Sequence, residues 1–71
     1  MTPDTLQRVG ECLYGERWQS DLARLLGLDS RRVRQWMAGE RPIPPGIRRE
    51  LIEALDHQRQ AAVILLRELR Q

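Results

Sequence analysis

The stretch Gln19–Gly39, QSDLARLLGLDSRRVRQWMAG, constrains what this chain can fold into more than any other. Leu22, Ala23, Leu25 and Leu26 fall on one face of a helix, and Gly27 ends it by supplying the left-handed backbone that a tight helix exit requires. Val33 and Trp36 then give a second short helix its own apolar edge, so the stretch predicts two helices about a tight turn. Ala23 is small where the two helices would cross, and a larger side chain there would push them apart. Asp29 stands where its carboxylate can take up free N–H groups at the start of the second helix. Ala38-Gly39 closes that helix. With Val33 and Trp36 turned inward, a rotation of about 100° per residue turns Ser30, Arg31, Arg34 and Gln35 outward.

The flanking segments are read the same way. Thr2-Pro3-Asp4 is a helix start, with a hydroxyl cap, Pro at the first helical position and an acid in the first turn. Leu6, Val9 and Leu13 form the apolar stripe of this first helix, with Cys12 and Tyr14 beside it, and Gly15 ends it. Trp18 occupies the place where a Ser, Thr or Asn cap is expected before the next helix. Its ring is expected to compensate by packing on the Leu22 turn, in or near the core. After Gly39, the three prolines of Glu40–Gly46 exclude regular helix and stiffen a loop whose buried anchor is expected to be Ile43. No Gly or Pro follows Gly46. Ile47, Leu51, Ala54 and Leu55, continued by Gln58, Ala62, Leu65 and Leu69, predict one long helix over about residues 46–70. A break near Asp56-His57, with Asp56 capping a fifth helix, is the alternative.

Seventy-one residues make one domain, 1–71, whose single core is small enough for a partner subunit to matter. Its apolar residues are mostly aliphatic, Phe is absent and strand-like alternation is missing, so the expected architecture is all-α, compact, with four to five helices. Cys12 is the only cysteine, which excludes an intramolecular disulfide and a Cys-based metal site; it is expected in the core. The longest apolar run, Ala61–Leu66, is too short to cross a bilayer, and no basic-then-apolar leader opens the chain, so a soluble cytoplasmic protein is expected. His57 is the sole histidine, without ligand-spaced partners, and no Gly-rich phosphate loop occurs; an enzyme and a bound cofactor are both unexpected. The formal charge is only +2, but all twelve basic residues are Arg, a planar donor suited to phosphate and guanine. A GC-rich genome would account for the absence of Lys equally well.

Gln19, Ala23, Gly27, Val33 and Trp36, followed by Ala38-Gly39 and the Pro-rich loop, resemble the Cro and repressor type of helix-turn-helix found in bacteriophages and prophages. The resemblance covers about residues 5–55, with the motif at 19–39, and small autorepressors encoded beside anti-CRISPR genes are one kind compatible with this size. It implies a lambda-repressor-like domain that binds specific double-stranded DNA as a transcriptional regulator, its second motif helix in the major groove. It implies a phosphate contact for Gln19 and base reading by Ser30, Arg31, Arg34 and Gln35. Arg31 or Arg34 can donate two hydrogen bonds to guanine, and Gln35 can pair with the adenine edge. Arg17, Gln19, Ser20, Arg32 and Arg41 stand at the flanks, where side chains and a helix N-terminus meet phosphates. Trp18 departs from the polar residue usual before the Gln, and base stacking is the alternative use of its ring.

The C-terminal half is longer than such a core needs. Leu55, Ala62, Leu65, Leu66 and Leu69 form its unspent apolar surface, expected to hold a homodimer over 55–70 on a palindromic operator. The alternative is that Ala61–Leu69 folds back on the first helix. A membrane-surface role is not expected, because Arg59, Arg67 and Arg70 are mixed with Glu68, and neither is a small-molecule effector. The competing functional class is an antitoxin or phage accessory protein whose helices mainly hold a protein partner. A basic Ser30–Gln35 face favours DNA over such a groove.

Overall fold

Thr2 opens the first helix, its hydroxyl accepting the Thr5 N–H at 3.2 Å with Pro3 in the first helical position. In the computed structural model, which describes all 71 residues, that helix is α1, Pro3–Tyr14. It is followed by α2, Trp18–Leu26, by α3, Ser30–Met37, and, after the loop and a 3₁₀ turn at Pro45–Ile47, by α4, Arg48–Leu69. The fold is thus an all-α four-helix bundle without strands. Continuous helix from Arg48 to Leu69 excludes the break at Asp56-His57, and the beginning expected near residue 46 is taken by the 3₁₀ turn, where Pro45 starts a tighter coil.

Every helix contributes to one core of Leu6, Trp18, Leu22, Ala23, Val33, Trp36, Ile47 and Leu51. The largest fully enclosed side chain is Trp36. Val9, Leu26, Leu28, Met37 and Ile43 pack against this cluster from its edge. Ile43 is therefore a half-buried brace rather than a buried anchor, because the flanking prolines carry the loop over the core surface and not into it.

Trp18 is buried in one core cluster with Leu22, as expected, but it is the first residue of α2 and not its cap. The residue preceding α2 is Arg17, and no side chain caps the helix. The Trp18 ring lies against Gly10 of α1, so closely that a Cβ at residue 10 would sit 2.1 Å from Cε3 of the ring. Gly10 is the hole into which Trp18 fits, and the two residues set the distance between α1 and α2.

Two other expectations fail at the edge of the core. Cys12 is exposed, because α1 turns Leu6 and Gly10 inward and leaves Cys12 at the rim. There its carbonyl accepts the Gln58 amide of α4 at 2.9 Å. Leu25 is 41 % exposed, since Leu22 and Ala23 take the inward face of the short α2. With Tyr14 it borders an open cleft of about 470 Å³ whose other wall includes Ala54 and His57.

Beyond Gln58, α4 leaves the body, and every residue from Arg59 to Gln71 is exposed. The 49 × 22 × 21 Å dimensions record that overhang, and Ala61–Leu69 does not fold back on α1. No helix is long and apolar enough to cross a membrane.

Two glycines separate the packing argument from general glycine effects. Gly10→Ala is expected to lose about 1–3 kcal/mol by overpacking against the Trp18 ring. Gly46→Ala, where an added Cβ meets nothing within 4 Å and φ is not positive, is expected to be neutral or slightly stabilising. Trp36→Ala is expected to lose about 3–5 kcal/mol through the cavity it leaves. Urea titration followed by circular dichroism measures all three; equal midpoints for Gly10→Ala and Gly46→Ala would contradict the fitted Trp18 ring.

Candidate nucleic-acid interface

The turn between α2 and α3 is built by backbone hydrogen bonds around one left-handed residue. Gly27 has φ 69° and ψ 30°; its N–H reaches the Arg24 carbonyl at 3.2 Å, and the next N–H, of Leu28, reaches that of Ala23 at 2.8 Å. This double closure ends α2 abruptly and brings Asp29 in at extended backbone angles. The Asp29 carboxylate accepts the Arg31 N–H at 2.9 Å, capping α3 as its position predicted. Ala23, 2 % exposed, allows α2 and α3 to approach.

Val33 and Trp36 hold α3 from beneath, so its other residues point outward or lie along the edge. Arg31, Arg32 and Arg34 are exposed, and Ser30 and Gln35 are half-buried at the margin of the core. Nη1 of Arg34 donates to Oγ of Ser30 at 3.3 Å, one helical turn back, which ties two of the four candidate base-reading residues together. Gly39, at φ 76°, then reverses the chain, and the Glu40 N–H reaches the Gln35 carbonyl at 2.9 Å. That reversal returns Arg41 toward the start of α3. Arg31, Arg32, Gln35 and Arg41 line one polar cleft of about 250 Å³, together with Leu28 and Asp29.

The cleft joins residues that stand ten positions apart in the chain. A Pro-rich loop has no period from which a direction can be read, so the flanking place of Arg41 was legible in the sequence but its closeness to Arg31 and Gln35 was not. Arg17, Gln19 and Ser20 do not line the cleft. They stand at the beginning of α2, Arg17 and Ser20 exposed and Gln19 half-buried, where no side chain caps the first N–H groups.

Ion pairing divides the arginines into two groups. Arg8, Arg24, Arg49 and Arg59 each pair with an acid three or four residues away on the same helix. Arg17, Arg31, Arg32, Arg34 and Arg41 pair with none, and neither do Arg48 and Arg67 on α4 or Arg70 just after it. Asp21 is engaged by Arg24, and the Asp29 carboxylate is directed to backbone N–H rather than to a guanidinium. Residues 30–41 carry four Arg and one Glu, whereas the remainder of the chain carries eight Arg and nine acids. Positive charge is therefore concentrated on and beside α3, in a chain that is close to neutral elsewhere.

Elsewhere, no group of three His, Cys, Asp or Glu side chains converges in a way that could hold a metal ion. Comparison with protein-family models, with curated proteins and with solved structures yields no match to the chain.

Proposed function

We propose that the protein is a sequence-specific regulator of transcription, a repressor that binds an inverted repeat in double-stranded DNA as a homodimer with α3 in the major groove. The observation that carries this reading is the outer face of α3, with three arginines, no acid and no ion pair, on a helix whose opposite face is locked into the core. A guanidinium without an ion-pair partner can form two parallel bonds to guanine O6 and N7, and Gln35 beside it can pair with adenine. Arg32 and Arg41 flank these groups and suit phosphate, as do Arg17, Gln19 and Ser20 around the uncapped start of α2. The local excess of positive charge would also raise the rate of encounter with a polyanion.

An eight-residue helix reaches only a few base pairs, so useful affinity calls for two copies on one operator. The exposed apolar end of α4 supports that expectation, with Leu65 57 % and Leu69 83 % exposed. Selection of randomised duplexes on the purified protein is expected to return an inverted repeat, and no enrichment over a protein-free control would overturn the reading.

The two kinds of contact should separate by mutation. On the selected site, Arg34→Ala and Gln35→Ala are each expected to cost about 1–3 kcal/mol and to relax preference at one base position per half-site. Arg41→Ala is expected to weaken all sequences alike and to lower the dependence of log affinity on log salt by about one unit per bound protomer. Gln19→Ala should weaken all sequences alike without changing that dependence. Mobility-shift titrations at several salt concentrations read both effects, and unchanged base preferences in Arg34→Ala would exclude α3 as the reading helix.

A further inference from the structure

Along α4, Ile52, Leu55, Arg59, Ala62, Leu66 and Leu69 follow one another at steps of three, four, three, four and three residues. Such alternation keeps side chains on a single seam of a helix, the arrangement by which one helix meets another along its length. The residues that seat α4 on the body, Ile47, Leu51 and Gln58, lie on a neighbouring stripe, so the seam remains open. Ile52 is 59 % exposed, Leu66 45 % and Leu69 83 %, while Leu55 is half-buried. At its N-terminal end the seam holds a shallow cleft of about 270 Å³ lined by Ile52, Leu55, Asp56 and Arg59.

We infer that this seam is closed by α4 of a second copy lying antiparallel to the first, with Ile52 against the partner's Leu69, Leu55 against the partner's Leu66, and Arg59 against the partner's Ala62. This rests on the dimeric reading above and supplies its geometry.

The contents of the seam select the direction. In the antiparallel register the cleft at Ile52 and Leu55 receives two leucines. Arg59 lies over a small residue that leaves room for its stem, while its guanidinium stays with Asp56, its ion-pair partner. A parallel pairing would set each residue on its own copy and bring Arg59 onto Arg59, two like charges in the middle of the interface.

Charge complementarity at the ends points the same way. The next seam position toward the N-terminus is Arg48, which is exposed and in no ion pair. In the antiparallel register it lies about 6 Å beyond the last turn of the partner's α4, on the side where unsatisfied carbonyls carry the negative end of the helix dipole. Leu65 falls beside this seam rather than on it, and Ile52 takes its place among the contacts.

The arrangement also determines how far apart the two motifs stand. The symmetry axis passes between Gln60 and Ala61, and Leu51, by which α4 joins the core, lies about 14 Å from it at about 1.5 Å per residue. The two cores are then about 29 Å apart along α4, close to the roughly 34 Å turn of B-form DNA that separates successive major-groove faces.

Cross-linking tests the pairing without DNA. In a Cys12→Ser background, Ile52→Cys and Leu69→Cys place single thiols at exposed positions where the fold does not depend on the native side chain. After oxidation, a mixture of the two proteins is expected to give a disulfide-linked dimer, and neither protein alone is expected to do so. A linked dimer from either protein alone would overturn the proposal in favour of parallel pairing. Absence of any linked species, or a wild-type protein that sediments as a monomer, would overturn it as well. Leu66→Glu is expected to sediment as a monomer with an unchanged helical spectrum, and a dimeric Leu66→Glu protein would move the interface off this seam. A mixture cross-link beside a failed duplex selection would remove the DNA reading and leave the pairing standing.

Discussion

The direction in which α3 faces depends on two side chains. Val33 and Trp36 are the only buried residues of this helix, and they bind it into a core to which the other helices contribute only a few residues each. A helix this short is not stable alone, so its order comes from that contact and from its ends, where Asp29 caps one and the Gly39 turn closes the other. Its arginines form no ion pair, and the one side-chain bond among them joins Arg34 to the Ser30 hydroxyl a turn back. The division is efficient in a small domain: one edge of α3 holds the fold together, and the rest is available for another molecule.

Local rules made much of this legible before any coordinates. Thr2-Pro3, Gly27, Asp29 and Gly39 act through bonds within a few residues, and each is found in the place its chemistry demands. Val33 and Trp36 were readable from a spacing of three, and the unbroken α4 from the absence of Gly and Pro after Gly46. What periodicity could not give was the outcome of contacts between distant segments. Cys12, beside an apolar stripe, lies at the rim because α4 passes there with Gln58. Leu25 is left outside because a nine-residue helix buries a narrow face. Within the candidate interface, the outward turn of Arg31 and Arg34 was legible, but the return of Arg41 beside them required the whole loop.

The long α4 is supported differently from the others. Only Leu51 among its 22 residues is buried, and its exposed length relies on neighbours along the helix. Arg49 with Glu53, Arg59 with Asp56, and Gln60 with Asp56 span three or four residues, each pair contributing about 0.2–0.5 kcal/mol. Those contacts favour helix without deciding it. They cease before the apolar run Val63–Leu66, whose side chains face several directions in turn. The end of the helix is thus the portion with the least internal support and the most apolar surface, two properties that a second helix would relieve together.

The fit of Trp18 onto Gly10 has a consequence for how such a chain can vary. A side chain at residue 10 is excluded by the ring, and removal of the ring opens a space against α1 that glycine alone cannot fill. Substitutions at the two positions are therefore not independent: the effect of each depends on what occupies the other, with a non-additive free energy characteristic of residues in direct contact. Chains that keep this helix packing can exchange the pair by a compensating double change, a small ring-free residue at 18 with a larger one at 10, more readily than through either single step. Epistasis of that kind ties the entry of α2 to the middle of α1, eight residues away, and it constrains drift at two sites that have no part in the charged face of α3.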